Sequence, residues 1–295
     1  MSNQEFPTTA KVVVIGAGIV GNCLVGHLAR LGWTDMVLID KGPLPNPGGS
    51  TGHASNFIFP VDHNKEMALL GVQSANQYRD VERSVDSGGI EVARTPERMD
   101  EFQRRMTSAK AWGVEAELLT PAQVKELVPF INENVILGGF SCPSVSVVDS
   151  LDTGTLFRNE AIEKTGLKVF ANTEVLDVET EDEPGTGLQK VTAVVTDKGR
   201  IEAEYVVVAC GVWSNRIANM AGATIPLVPA VHQMADVGPM DILAETQSEI
   251  SYPIVRDMDT FCYERQSSGS MEVGSYAHRP ILHHPDDIPS NEEAA

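Results

Sequence analysis

The tightest constraint on what this chain can fold into is the run Lys11-Val-Val-Val-Ile-Gly16-Ala-Gly18-Ile-Val-Gly21, followed by Asp40 at the end of Met36-Val-Leu-Ile-Asp. Four consecutive apolar residues, 12–15, suit a strand buried on both faces of a parallel sheet. Gly16 permits a tight turn, Gly18 lets backbone approach a pyrophosphate, and Gly21 lets the following helix pack closely on the sheet. That helix aims its N-terminal N–H groups and the positive end of its dipole at phosphates. Asp40 closes a second strand, placed to accept hydrogen bonds from a ribose diol. A bare Gly-x-Gly-x-x-Gly carries little weight. With strand, helix and acid in their places, it predicts a unit that binds an adenine dinucleotide.

Charge and cysteines narrow the remaining classes. With 22 basic against 41 acidic residues, the formal charge is −19 over 295 residues. That balance disfavours nucleic acid and anionic membrane as partners. Cys23, Cys142, Cys210 and Cys262 are scattered with no Cys-x-x-Cys, which suggests neither a zinc site nor a disulfide framework and fits a reducing compartment. The apolar stretch 12–31 carries three glycines, His27 and Arg30 and lacks a preceding basic segment, so it is expected to be strand and helix rather than a membrane span or leader. A cytoplasmic protein is the expectation.

Further along, a Gly/Pro/Ser-rich loop spans residues 42–53. Residues 64–83 fit an amphipathic helix through Met67, Leu69, Leu70, Val72 and Tyr78, and 89–93 a short strand. Thr95-Pro96 and Thr120-Pro121 carry N-cap and first-turn signals for two helices. A strand is expected at 138–143, a helix at 152–165 and a strand at 168–171. Residues 174–180 and 191–201 suit antiparallel strands around an acidic hairpin loop. Residues 204–211 read as a late parallel strand ending in Gly211, with a helix opening at Trp213. Residues 226–234, 259–265 and 271–280 read as strands of a second sheet. The fold predicted is α/β, a Rossmann-like FAD-binding domain interleaved with a second, mostly antiparallel sheet domain. The fingerprint suits NAD as well as FAD. The Gly-Ser-Thr-Gly-His53 loop and the later Val-Val-Val-Ala-Cys-Gly211 strand favour FAD.

Those residues resemble one family specifically. The fingerprint with Leu-Ile-Asp-Lys41-Gly-Pro-Leu, Gly48-Gly49-Ser50-Thr51-Gly-His53-Ala, Trp112-Gly-Val-Glu-Ala-Glu-Leu-Leu-Thr-Pro-Ala, Cys210-Gly-Val-Trp213, Val231-His-Gln233 and Gly274-Ser-Tyr-Ala-His-Arg-Pro280 is similar to the dimethylglycine oxidase and the sarcosine and dimethylglycine dehydrogenase family. The resemblance implies an FAD-dependent enzyme that oxidises the N-methyl group of a small methylated amino acid by hydride transfer to flavin. An iminium results, which hydrolyses to formaldehyde and the demethylated amine. It implies covalent FAD attachment through His53, whose neutral imidazole is a competent nucleophile toward the flavin 8α-methyl carbon. It also implies cofactor contacts from Gly16, Gly18, Gly21, Asp40, Lys41, Gly49, Ser50, Thr51 and Gly211. His232 and Tyr263 match the family's active-site histidine and tyrosine, and Tyr276, His278 and Arg279 form a further polar cluster. The electron acceptor is expected to be oxygen or an electron-transfer flavoprotein.

The expected division is residues 1–84 and 150–222 for the FAD-binding domain, 85–149 and 223–282 for a partial substrate domain, and 283–295 as an acidic tail. His283-His284 lacks further spaced metal ligands, and no nucleophilic triad competes. The resemblance ends at about Pro280, whereas family members continue into a segment that closes over the flavin. The FAD site is therefore expected to be open on one side. A truncated, catalytically incompetent FAD-binding fragment, or one half of a two-polypeptide enzyme with a C-terminal partner chain, is the alternative expectation. The run Ser144-Val-Ser-Val-Val-Asp149 also departs from the glycine-containing turn expected there.

Overall fold

The computed structural model describes residues 5–79, 81, 84–246 and 248–290. The chain divides into two compact units, one of residues 1–54, 150–230 and 282–295, the other of residues 55–149 and 231–281.

The first unit is built on a six-stranded sheet in the order Val175–Asp182, Gln189–Thr196, Gly199–Val208, Thr9–Ile15, Met36–Ile39, Lys168–Phe170. Val12 and Val14 lie in one apolar cluster with Val25 and Ala29 of the helix Ile19–Arg30, whereas Val13 and Ile15 lie in another with Val37, Ile39 and Ile201. Both faces of the strand are thus covered, which is why its sequence is a continuous apolar run. The helix Ile19–Arg30 packs on Ser150–Thr165, with Gly26 receiving Phe157: a Cβ on Gly26 would lie 2.7 Å from that ring.

One strand departs from the sequence reading. Residues 191–201 and 204–211 were expected to be separate strands, but the chain turns at Asp197-Lys198 and a single strand runs Gly199–Val208. Its first half pairs antiparallel with Gln189–Thr196 and most of its length pairs parallel with Thr9–Ile15. The turn is held by the Thr196 hydroxyl, which donates to the Gly199 carbonyl at 2.8 Å and accepts the Lys198 N–H at 3.1 Å. Residues 283–290, expected to be a tail, form part of this unit. The Arg216 guanidinium donates to the carbonyls of Pro285 at 3.2 Å and Asp286 at 2.8 Å, and the Trp213 indole to that of Pro289 at 2.8 Å. The last five residues of the expected tail, 291–295, lie outside the described residues.

The second unit carries a seven-stranded sheet in the order Gln233–Val237, Ser270–Ser275, Cys262–Ser267, Ile254–Asp257, Gly89–Ala93, Gly138–Cys142, Glu117–Leu119. Every pairing is antiparallel except Ile254–Asp257 with Gly89–Ala93. Thr95 accepts the Arg98 N–H to start the helix Pro96–Ala111, and Thr120 forms a reciprocal capping box with Gln123 to start Pro121–Leu127. Residues 55–84 belong to this unit rather than the first, because Phe57–Ile58 and Ser84–Val85 both pair with Ser146–Val148, and Phe57, Phe59, Val61 and Val72 join the core of Phe102 and Phe140. The helix in that stretch runs Lys65–Tyr78 and buries Ala68, leaving Met67, Leu69 and Leu70 exposed, which is not the apolar face the sequence suggested. The strand expected at 226–234 is likewise displaced, to Ala230–Val231 and Gln233–Val237. No helix among the described residues is long and apolar enough to cross a membrane.

Glu91 is wholly buried in the central strand. Its carboxylate pairs with the Arg105 guanidinium and, at 3.1 Å, with Arg256. The two guanidinium groups lie over the rings of Phe140 and Phe59, at 5.0 and 4.8 Å. Removing one partner strands the opposite charge in the interior. Glu91→Ala is therefore expected to lower unfolding stability by about 3–5 kcal/mol, read from the urea midpoint at constant slope. The same loss on Glu91→Met paired with Arg105→Met would show that the charges are not the cause.

Candidate functional site

In the first unit the glycine-rich turn forms a cradle. Gly16 has φ +104°, a left-handed conformation that a side chain would strain, and a Cβ there would run into the Ala209 carbonyl. A Cβ on Gly21 would fall on the Gly16 carbonyl, and one on Gly18 would come within 3.0 Å of Thr51 Oγ1. The helix Ile19–Arg30 thus starts directly against the turn, as close approach of a phosphate to its first N–H groups requires.

Asp40 does more than the sequence suggested. Its Oδ2 accepts the Ala17 N–H at 2.6 Å and its Oδ1 the Gly42 N–H at 2.7 Å, so one carboxylate ties the glycine turn to the end of the second strand. Burial pushes its pKa up, and the two N–H bonds oppose that shift. Each carboxylate oxygen retains a further lone pair with which to accept from a ribose. Lys41, counted among the cofactor residues, instead has its Nζ 2.9 Å from Glu174 in an exposed pair.

The Gly49-Ser50-Thr51 loop is fixed from two sides. Thr51 Oγ1 accepts the Ile19 N–H at 3.1 Å, and the Ser150 hydroxyl donates to the Thr51 carbonyl at 2.6 Å. Gly49, at φ +75°, lies under Trp213: a Cβ there would stand 2.8 Å from the indole. Ser50–His53 forms a single 3₁₀ turn with His53 exposed at its end. Gly211 is exposed, at φ +52°, with open space where a side chain would project. Next to it the Cys210 thiol donates to the Ile15 carbonyl at 3.2 Å, and burial, with the nearby Asp40 charge, pushes it up to about 12. This thiol is therefore structural rather than reactive.

Two contributors were not legible in the sequence. Asn22 donates from Nδ2 to the Ala17 carbonyl at 2.6 Å and accepts from Arg158 Nη1 at 3.4 Å. Burial lowers the Arg158 pKa, and among the described residues no carboxylate pairs with it. No grouping of His, Cys, Asp or Glu among the described residues could hold a metal ion.

In the second unit the structure brings His232, Tyr263 and Tyr276 together. Tyr263 Oη lies 3.1 Å from His232 Nε2, and the Tyr276 ring stacks on the imidazole at 4.1 Å between centroids and 12° between planes. Tyr263 is buried, and its phenol end stands against Gly274, its direct cross-strand partner. Ser55, which sequence reasoning missed, donates to Tyr263 Oη at 2.9 Å. With that donor in place, the phenol's own proton is free to point at His232 Nε2. Burial and the neighbouring His278 lower the His232 pKa, favouring the neutral imidazole that accepts such a bond. Burial raises the Tyr263 pKa, so the phenol keeps its proton. Arg279 is exposed.

The comparisons agree with the cradle. The model of the family described as "DAO: FAD dependent oxidoreductase" matches residues 11–295. Mitochondrial sarcosine dehydrogenase of Mus musculus is 31% identical over 290 residues, covering 95% of this chain and 30% of that protein. Mitochondrial dimethylglycine dehydrogenase of Rattus norvegicus is 28% identical over 282 residues, covering 93% of this chain and 32% of that protein. The chain thus spans about a third of the length of these curated relatives. Among solved structures, L-proline dehydrogenase from P. horikoshii superposes with a TM-score of 0.81 at 24% identity, over 97% of this chain and 74% of that one. A dinucleotide cradle closed by three glycines, inside a match over nearly the whole chain, assigns it: the protein belongs to the FAD-dependent oxidoreductase family of the DAO type.

Proposed function

We propose that this chain oxidises the N-methyl group of a small methylated amino acid, dimethylglycine or sarcosine, with FAD held in the glycine cradle and attached through His53. The observation that carries the reading is the bond from Tyr263 Oη to His232 Nε2, with partial desolvation and His278 shifting the imidazole pKa down. Bound FAD supplies the two-electron acceptor for a hydride leaving the methyl carbon. The protein's task is to hold the amine and keep its nitrogen lone pair available. Tyr263 Oη, whose own proton points at the neutral His232 Nε2, can accept a proton from the substrate ammonium while passing its own to the imidazole. The resulting iminium is hydrolysed to formaldehyde and the demethylated amine. The electron acceptor that would reoxidise the bound cofactor is oxygen or an electron-transfer flavoprotein in this reading. The sarcosine and dimethylglycine relatives support this substrate class.

The reading is tested by the absorption spectrum of the purified protein before and after acid precipitation. Flavin colour that stays with the pellet, and is released in His53→Ala, is the expected result. Anaerobic bleaching by dimethylglycine or sarcosine should follow. Colour that moves to the supernatant in the unsubstituted protein removes the covalent link. A bound flavin that neither amine bleaches removes the substrate class.

A further inference from the structure

Of the successive N–H groups that line the glycine turn, two are spent inside the protein. The Ala17 N–H donates to Asp40 at 2.6 Å and the Ile19 N–H to Thr51 Oγ1 at 3.1 Å. Between them, the Gly18 N–H has no acceptor among the described residues, and Gly18 is half-buried. Where that N–H points is settled by the carbonyl on the other side of its peptide bond. The Ala17–Gly18 peptide is trans, so the Ala17 C=O and the Gly18 N–H face opposite ways. Asn22 Nδ2 draws the Ala17 carbonyl inward at 2.6 Å, and Asn22 is only 3% exposed. The Gly18 N–H is thereby turned away from the interior.

That bond demands one orientation of a side chain that has two. A flipped asparagine amide would set an oxygen against the Ala17 carbonyl, and neither oxygen donates. Arg158 removes the choice. Its Nη1 lies 3.4 Å from Asn22 Oδ1, and a guanidinium only donates, so the amide oxygen belongs on the Arg158 side and the nitrogen on the Ala17 side. Arg158 is anchored in turn by Thr155 Oγ1 at 3.2 Å, one turn earlier on the helix Ser150–Thr165. The same helix makes room for the amide, since a Cβ on Gly154 would stand 2.9 Å from Asn22 Nδ2. Burying a guanidinium without a carboxylate is costly, and Arg158 is 8% exposed. Its place is explained by the amide it orients.

We propose that Asn22 and Arg158 are positioning residues for the cofactor, holding the Ala17–Gly18 peptide so that the Gly18 N–H is offered to the pyrophosphate of the dinucleotide. This rests on FAD lying in the glycine cradle, not on which amine is oxidised or on attachment through His53. A peptide held in this way needs no reorientation when the phosphate arrives. Turned over, it would present the Ala17 carbonyl oxygen, which repels phosphate.

The test titrates flavin-free, full-length protein carrying His53→Ala, labelled with ¹⁵N at glycine, with ADP and with adenosine, which lacks the phosphates. The Gly18 amide proton should move downfield with ADP and stay in place with adenosine. Asn22→Asp keeps the side-chain shape and the partner of Arg158 but sets an oxygen against the Ala17 carbonyl. Asn22→Leu keeps a similar shape without the charge. Both should lose the downfield shift and bind ADP about tenfold more weakly, with adenosine affinity unchanged. Arg158→Met, which frees the amide to flip, should show a smaller loss of the same kind. A Gly18 amide that ignores bound ADP overturns the positioning role, as do equal losses for ADP and adenosine, which would assign the pair to packing. Loss confined to Asn22→Asp also overturns it, because charge repulsion then accounts for the effect. Each of these leaves FAD in the cradle. If ADP does not bind with Asn22 and Arg158 intact, the placement of FAD fails and takes this inference with it.

Discussion

Gly274→Ala is expected to abolish most amine oxidation while leaving the fold in place. A Cβ at residue 274 would run into Tyr263 Cζ and Oη, because the two residues face each other across adjacent antiparallel strands. The ring cannot stay. Overpacking of this kind lowers stability by about 1–3 kcal/mol, which a buried sheet of this size survives. The larger effect falls on geometry. Tyr263 Oη now bridges Ser55 Oγ at 2.9 Å and His232 Nε2 at 3.1 Å, and a displaced ring loses both bonds. Misplacement by about 1 Å can lower a rate on the order of 10²-fold, and that is the expected drop in the rate of flavin reduction. The control is the pair Tyr263→Ala and Tyr263→Ala/Gly274→Ala. With the ring gone, the added methyl should change neither rate nor stability, so the two substitutions should be strongly non-additive. An additive result would mean that Gly274 acts through something other than Tyr263.

Gly21→Ala should have an equally large effect on the other unit, and on a different observable. The added methyl collides with the Gly16 carbonyl, so the helix Ile19–Arg30 must move off the turn. That motion disturbs the Ile19 N–H to Thr51 bond and the seat of Phe157 against Gly26. Flavin content of the purified protein is expected to fall to near zero, because the helix start that would seat the pyrophosphate is displaced before any attachment can occur. Gly166→Ala serves as the comparison. Gly166 has φ +69° with nothing within 4 Å of a Cβ, so its replacement strains the backbone without touching the cradle. It should lower the melting temperature through a loss of about 1 kcal/mol or somewhat more and leave flavin content unchanged. Flavin loss in both variants would point to general destabilisation.

What could be read from the sequence divides along a physical line. The glycine turn was legible because its demands are local: a positive φ at Gly16 and missing side chains at Gly18 and Gly21 are needed wherever a helix starts against a strand. The helix starts at Pro96 and Pro121 were legible for the same reason, since a threonine cap and its partner stand three residues apart. His232 and Tyr263 came from family resemblance alone, because nothing in the gap between two short strands marks a histidine as paired with a tyrosine 31 residues away. Ser55, Asn22 and Arg158 carried no signal at all. Their roles follow from partners 208 and 136 residues distant for Ser55 and Arg158, and from a side chain turned toward Ala17 for Asn22. The split of residues 199–208 between antiparallel and parallel partners was missed because both halves have the same β-rich composition, and only the Asp197-Lys198 turn separates the hairpin. Residues 55–84 were assigned to the wrong unit for want of any linker: the boundary falls at Ala54–Ser55, within a loop whose composition does not change.

The pairing of Thr9–Ile15 with Gly199–Val208 also sets a schedule for biosynthesis. The wall that Gly16 leans on is Ala209, and the thiol bonded to Ile15 is Cys210, so the fingerprint written at the start of the chain acquires its far side only after residue 210 has left the ribosome. Until then its first strand can pair only with Met36–Ile39, and the long intervening loop must close before that contact returns any stability. A nascent chain halted at residue 190 should therefore bind no dinucleotide, although it carries every glycine of the motif. Cofactor capture waits on residue 210, and an apolar strand stands exposed until then, the interval in which a chaperone has most to protect.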